Sequence, residues 1–410
     1  MNTEAVARKS EETNVKKFKF DTRKYAMFIA LIVIALLFQI LTKGVLLRPM
    51  NVTKLILQNS YVLVLAIGML PCVLTGNIDL SVGSIVAVVS AISGVLIISM
   101  GISIPIAIII SLCIGALIGA WQGFWIAYVK VPAFIVTLAG MLIFRGITMV
   151  ILQGNTISPY PATFQYMSMG FLPEIGTGKI HLLTLIIGVF VSVVFIISEI
   201  KKRVQAKEYE IDQCANNVFV AKLVGITLVI MFSAYWLSRY KGMPFVFIIL
   251  GALILFYSFV TNRTVIGRHI YALGGNEKAT KLSGIKTKRV MFMVYVNMGV
   301  MAALAGLLFA ARLNAAAPSA GEGFELDAIA ACYIGGASAS GGIGTIVGAI
   351  IGGLVMGILN NGMSLVGVGV DWQQAIKGLV LLAAVAFDIY NQSKNCLLYT
   401  SPSPRDYAAS

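Results

Sequence analysis

Between Tyr25 and Ile389 the chain repeats one pattern, an apolar run with few charges or none, then a short polar break. Such runs are hydrophobic on every face, so they cannot be surface helices of a water-soluble protein. At about twenty residues each, they match the hydrocarbon thickness of a bilayer. They lie near residues 25–41, 56–74, 82–100, 105–129, 133–152, 182–197, 219–237, 244–261 and 290–311. The last third is interrupted by glycine, with runs near 326–334, 343–365 and 372–389. The sequence therefore predicts an all-α polytopic membrane protein of roughly 10–12 transmembrane helices with broken, Gly-rich helices. With 58% hydrophobic and only 12% charged residues, the composition excludes an ordinary soluble enzyme.

The net charge of +14 would point to nucleic acid in a soluble protein. Here the basic residues fall in short loops between apolar runs, so they report topology instead, and no nucleic-acid partner is expected. With the N-terminus inside, the inner segments hold 21 Lys and Arg and the outer segments 7, the asymmetry expected of cytoplasmic loops. The N-terminus is polar up to Phe20, which is not the pattern of a signal peptide. Three segments follow: a cytoplasmic N-terminal segment (1–24), a membrane domain (25–390) and a tail (391–410). The tail carries two Ser-Pro steps that cannot continue a helix, and its composition reads as partly non-native or as a disordered end.

The run Gly76-Asn77-Ile78-Asp79-Leu80-Ser81-Val82-Gly83-Ser84 interrupts a long apolar stretch. Backbone exposed at such a break must find partners, because lipid offers none. Asp79 or Ser81 can cap the next helix, where free N–H groups and the helix dipole favour an oxygen. Alternatively Asp79, Ser81 and Gly83 line a transport path, since broken helices face cavities in carriers. A related break at Gly341–Gly348 repeats Gly, Ile, Val and Gly at the offsets of Gly76, Ile78, Val82 and Gly83, as an internal duplication would.

A second informative run, Gly267 to Ile285, lies between two apolar spans and reads as a turn, a short helix over Glu277–Leu282 and a stop at Gly284. Ala279 and Leu282 share one side of that helix. A small amphipathic helix at the membrane surface is the form needed to dock into another protein's groove, and an ordinary solvated loop is the other reading. The residues that would dock are Gly275, Asn276, Glu277, Ala279, Leu282, Ser283 and Gly284.

Charges within the spans are costly, so Arg145, Asp327 and Lys377 are candidate sites, with snorkelling or backbone pairing as the structural alternative. Asn59, Asn297 and Asn361, with Asn360, are uncharged candidates for a path taken by a polyol, which needs donors and acceptors but no fixed charge. The five cysteines are scattered, and two isolated histidines, His181 and His269, do not make a metal site. No phosphate-binding loop and no catalytic signature is present, so neither a catalytic residue nor ATP binding in the P-loop manner is expected. The spans also lack the acid and His chains of a proton-coupled carrier.

In the Gly76–Ser84 run and the Tyr271–Ile285 loop the sequence resembles the permease subunits of bacterial monosaccharide ABC importers. Further matching stretches are Val131–Met141 with Arg145-Gly146, Pro318–Gly321 with Glu325–Cys332, Ile334–Gly336, and Asn361–Ser364. The resemblance spans about residues 25–390. Within that group the xylose and multiple-monosaccharide permeases share the polar stretch Gln153–Pro159 and the basic loop near Lys201, whereas Asn77 stands where the xylose permease carries an acid.

The resemblance implies a multi-pass subunit in the bacterial inner membrane, working as a homodimer with a cytoplasmic ABC ATPase and an external sugar-binding protein. ATP and Mg would sit on the partner ATPase, with no cofactor on this chain. Residues Gly275–Gly284 would dock into that ATPase. A secondary carrier or channel for small polar solutes, working without an ATPase, is the alternative. A membrane-embedded enzyme would need clustered acids or His at one membrane face, and none is visible.

Overall fold

The computed structural model describes residues 22–174, 180–209 and 215–400. The polar N-terminal segment up to residue 21, and with it five of the 21 basic residues of the inner segments, lies outside the described residues, as do the Ser-Pro steps of the tail. Among the described residues the chain is helical throughout and forms no strand. Two isolated bridges, Ile157 with Ala316 and Phe171 with Pro244, are the β-type pairings.

Fifteen helices follow in order: α1 (Thr22–Leu41), α2 (Pro49–Leu74), α3 (Val82–Ser99), α4 (Ile104–Val129), α5 (Ala133–Leu152), α6 (Ala162–Met169), α7 (Leu182–Glu208), α8 (Asn216–Ser238), α9 (Val246–Arg263), α10 (Val265–Gly275), α11 (Glu277–Leu282), α12 (Thr287–Leu313), α13 (Phe324–Ile334), α14 (Ile346–Val366) and α15 (Val370–Thr400). Ten of these described helices are long and apolar enough to cross a membrane, and α1 adds a shorter apolar run, Met27–Leu41. The expected all-α polytopic architecture is the observed one.

Differences from the sequence reading are local. The polar segment after α5 contains α6, which begins directly after Pro161, where a proline costs nothing because a first-turn N–H has no partner to lose. The stretch before the docking segment is a helix, α10, not a turn. Thr264 Oγ1 caps it, accepting from Gly267 N at 3.2 Å. Helices α3 and α4 each close with a π turn, over Val95–Ser99 and Trp125–Val129. The last helix runs on through Thr400, into the segment read as a tail.

Helices α2, α3, α12, α13 and α14 form the core, with most of their side chains buried. Around them α1, α4, α5, α7, α8, α9 and α15 turn apolar side chains outward; Leu255 is 74% exposed and Val150 77%. In water such a belt would drive aggregation, whereas in lipid it costs nothing. Apolar burial gives little drive once helices are in lipid, so packing has to come from close backbone approach. Gly115, Gly119 and Gly123 present that surface on α4. A Cβ at Gly119 would lie 2.3 Å from Tyr295 O, and one at Gly115 2.5 Å from Gly299 O, both on α12.

Candidate functional site

Helix α2 holds Pro71 in its last turn, which weakens the ladder just before the chain leaves the helix at Thr75. The peptide groups of the break are held from within the molecule. Asp79 is fully buried, and its Oδ1 accepts from Ser81 N at 2.8 Å and from Ser81 Oγ at 2.6 Å. Gln122 Nε2, on α4, donates to Ser81 Oγ at 2.6 Å, which ties the break to the neighbouring helix. Ser81 itself makes no side-chain cap; Ser84 Oγ donates back to Ser81 O at 2.7 Å. Three buried polar atoms in this part of the core, Asp79 Oδ2, Gln122 Oε1 and Tyr295 Oη, have no protein partner.

One residue beyond the break, Gly83 lets α3 start against a loop from the far end of the chain. A Cβ there would lie 2.2 Å from Gly321 O. Arg145, midway along α5, fixes that same loop, since its Nη1 donates to Pro318 O at 3.0 Å and to Ala320 O at 2.7 Å. Arg145 is thus paired with backbone. Both bonds leave the one nitrogen Nη1, and a methionine there has no donor to replace them. Arg145→Met is expected to cost about 1.5–3 kcal/mol, the worth of a charged hydrogen bond. Thermal unfolding of the purified chain checks this, and an unchanged midpoint would remove Arg145 as an anchor.

The second break, residues 335–345, separates α13 from α14. Thr345 Oγ1 caps α14, accepting from Gly348 N at 3.0 Å. Gly342 N donates to Leu74 O at 2.8 Å, so the second break closes the free end of α2. A Cβ at Gly341 would meet Gly76 N at 2.9 Å, so the two related Gly-rich runs touch each other. The third partner is α10. A Cβ on Gly274 would lie 1.6 Å from Leu74 O and 2.7 Å from Gly342 N, and Tyr271 Oη donates to Gly344 O at 2.7 Å. Three runs that stand far apart in sequence therefore meet backbone to backbone around Leu74.

From this contact α11 projects outward. Asn276 Oδ1 caps it by accepting from Ala279 N at 2.9 Å, Thr280 is buried beneath it, and Gly284 (φ +82°) reverses the chain after it. Gly275, Asn276, Glu277, Ala279, Leu282 and Ser283 are exposed, and Leu282 is 89% exposed, an apolar side chain with nothing of this chain over it. A cavity of about 950 Å³ runs from Thr75, Gly76 and Asn77 to this segment. Its walls carry Lys130, Lys281, Lys286, Lys288 and Arg289 against one acid, Glu277.

The remaining candidates stand elsewhere. Asn59 Nδ2 donates within its own helix to Leu55 O at 2.7 Å. Asn297 accepts from Tyr257 Oη. Asn361 joins α14 to α2, accepting from Asn51 Nδ2 at 2.9 Å and donating to Gln58 Oε1 at 3.3 Å. Lys377 lies 3.1 Å from Asp327, which Asn360 also contacts at 3.4 Å. Among the described residues no group of His, Cys, Asp and Glu is placed to hold a metal ion.

Sequence reasoning missed Gly274, Tyr271, Gln122 and Tyr295. Gln122 alone left a signal, as the one amide within the apolar run of α4.

A belt of lipid-facing helices around two buried breaks, with an exposed segment rooted on both, defines a membrane transport subunit. The chain belongs to the family described as "Branched-chain amino acid transport system / permease component", which it matches over residues 51–385. It is 38% identical over 370 residues to the xylose transport system permease protein XylH of Haemophilus influenzae, covering 90% of this chain and 97% of that one. It is 40% identical over 365 residues to XylH of Escherichia coli, with 89% and 91% covered. The ribose import permease protein RbsC of Bacillus subtilis is 36% identical over 379 residues, with 92% and 97% covered. No solved structure matches the chain. The chain is a multi-pass membrane permease component and not an enzyme.

Proposed function

We propose that the chain is the translocating subunit of an ATP-driven monosaccharide importer, carrying xylose or several related sugars. The substrate class is supported by the xylose and ribose permeases that it resembles over nine-tenths of its length. Coupling to an ATPase is supported by one observation above the others: the root of the exposed α10–α11 segment packs on the end of α2 and on the break before α14. A push on α11 is therefore delivered to both broken helices through backbone, with no flexible side chain in between.

In this reading two copies of the chain enclose the path in the bacterial inner membrane, with the N-terminus and the basic cavity on the cytoplasmic side. A sugar-binding protein delivers from outside. ATP and Mg²⁺ belong to the partner ATPase, whose closing moves the docked α11 segments and switches the path between outward and inward access. Gly275 and Gly284 bound the docking segment, Asn276 and Glu277 open its helix, and Ala279, Leu282 and Ser283 meet the partner's groove. The buried Asp79–Ser81–Gln122 network and the Gly83 contact hold the break in shape. Asn297 and Asn361 brace helices around the path, Asn59 lies against Gly357 beside it, and residues 25–390 form one permease domain. An uncharged sugar needs no fixed charge along its route, which agrees with the sparse charges of the core.

Labelled xylose uptake tests this in cells lacking their own pentose importers, supplied with the chain, its binding protein and its ATPase. Uptake is expected to need all three and to be competed by some sugars only. Leu282→Asp is expected to reduce it to about a tenth without changing expression, the effect of losing roughly 1.4 kcal/mol of apolar docking. Uptake that persists with the ATPase omitted would overturn the reading in favour of a secondary carrier or channel.

A further inference from the structure

Beside the basic cavity lies a second one of about 540 Å³, walled by α9, α10 and α12 and closed below by the α11–α12 turn. Its inner wall is mainly apolar, with Val260, Ile270, Val290 and Val294 beside the polar Tyr257, Thr261 and Asn297, and with Ile266 and Met293 at its mouth. Ile266 and Met293 are themselves about half exposed, so the groove opens onto the same apolar surface that Phe256 and Phe259 present to lipid. One end differs. His269, Lys286 and Arg289 gather there with the Ser283–Gly284 backbone. Among the described residues neither Lys286 nor Arg289 has an acid partner in an ion pair.

An apolar slot open to the acyl region, ended by unpaired cations at the level where a membrane helix emerges, is complementary to one kind of molecule. A polar solute would leave most of these walls without a match, and an uncharged apolar ligand would gain nothing from the rim. We propose that this groove binds an anionic phospholipid, its phosphate between Lys286 and Arg289 and its acyl chains along α9 and α12. Basic pockets between helices on the cytoplasmic side recognise headgroups by this chemistry. The floor of the groove, Ser283 to Lys286, is the connection between α11 and α12, so the lipid would steady the docking segment. The assignment rests on the importer reading in taking this end as cytoplasmic and in the ATPase complex used for its test, which reads lipid and not sugar.

The purified permease–ATPase complex would be examined by native mass spectrometry in detergent, with phosphatidylglycerol, phosphatidylcholine or inorganic phosphate added. Phosphatidylglycerol is expected to bind and phosphatidylcholine far less. Each cation near an anionic headgroup is worth a factor of about five, so K286Q/R289Q is expected to weaken binding roughly 25-fold. K201Q/K207Q, which removes the same charge from exposed positions on α7, is expected to leave it unchanged. Val260→Trp, which fills the slot and keeps every charge, is expected to abolish it. Equal binding of the two lipids, or equal loss in both charge variants, would overturn the site. So would displacement of lipid by millimolar phosphate, which would make it a free-anion site. Phosphatidylglycerol binding to the permease alone but not to the complex would assign the groove to the ATPase and overturn the lipid.

Discussion

Gly274→Ala is expected to abolish sugar uptake, while Gly275→Ala, one residue along the same helix end, leaves it intact. The two positions are alike in chemistry and opposite in surroundings. A methyl group on Gly274 would stand 1.6 Å from Leu74 O and 2.7 Å from Gly342 N, both backbone atoms that cannot rotate away. On Gly275 it would meet nothing within 4 Å. Relief at Gly274 requires α10 to lift off the end of α2. Lifting strains the Gly342 N–Leu74 O bond and the Tyr271 contact to Gly344 O.

Forced overpacking of this kind costs about 1–3 kcal/mol. Even the middle of that range shifts a two-state equilibrium more than tenfold away from the packed arrangement. Uptake is therefore expected to fall below about a tenth for Gly274→Ala and to stay near the parent value for Gly275→Ala. ATP hydrolysis by the assembled complex separates the two ways to lose uptake. Hydrolysis that continues without transport places the fault in transmission, as the contact requires. Full uptake by Gly274→Ala, at normal expression, would show that α10 does not transmit through Leu74.

How much of this was readable beforehand differs from element to element. The apolar runs gave the helices, because twenty uncharged residues in a row have no other use than to cross a bilayer. The breaks at Gly76 and Gly341 were visible as polar and glycine interruptions of such runs. The exposed helix Glu277–Leu282 was visible from the spacing of Ala279 and Leu282 and from the stop at Gly284. What the sequence did not carry was that these segments meet. Leu74 is one leucine among many, and its importance lies in a carbonyl that every residue has. Gly274 and Gly275 are indistinguishable as letters, yet only the first faces a backbone. The α10 helix was missed because Gly267, Gly274 and Gly275 read as turn residues, although Gly267 is required by close packing on Thr261 O. For Arg145 and Lys377 the sequence posed the question that a charge in a span always poses, and the answer lay in partners more than forty residues away.

Lys377→Ala is expected to be the most destabilising single change in this chain, and Asn at 327 combined with Met at 377 is expected to restore most of the loss. Asp327 is 3% exposed, and Lys377 Nζ is the cation beside it, 3.1 Å away. Removing the lysine leaves a buried carboxylate with only Asn360 Nδ2 at 3.4 Å to answer it. Losing one partner of a buried pair costs about 3–5 kcal/mol. The carboxylate also sits in the first turn of α13, where the helix dipole favours an anion. That contributes about 0.3–1 kcal/mol, too little to replace the ammonium.

Asp327→Asn alone is expected to cost less, since Lys377 is 20% exposed and its flexible stem can carry the charge to water. In D327N/K377M neither charge remains, and the methionine fills the space of the lysine stem, so stability is expected to return to within about 1.5 kcal/mol of the parent. Thermal unfolding of the four proteins closes the cycle, and additive losses would show that the two residues act separately. The pair bears on transport through its place in the fold. α15 holds α13 at both ends, with Lys377 on Asp327 at the start and Asp388 accepting from Ala339 N at 3.1 Å beyond the end. The eleven steps from Lys377 to Asp388 rise about 16 Å, the length of an eleven-residue helix such as α13. Cutting the first tie frees α13 to slide, and with it the break that presents Gly342 to Leu74. K377A is therefore expected to lose uptake along with stability, and D327N/K377M to recover stability further than uptake, because an uncharged contact holds the register of α13 less firmly than an ion pair.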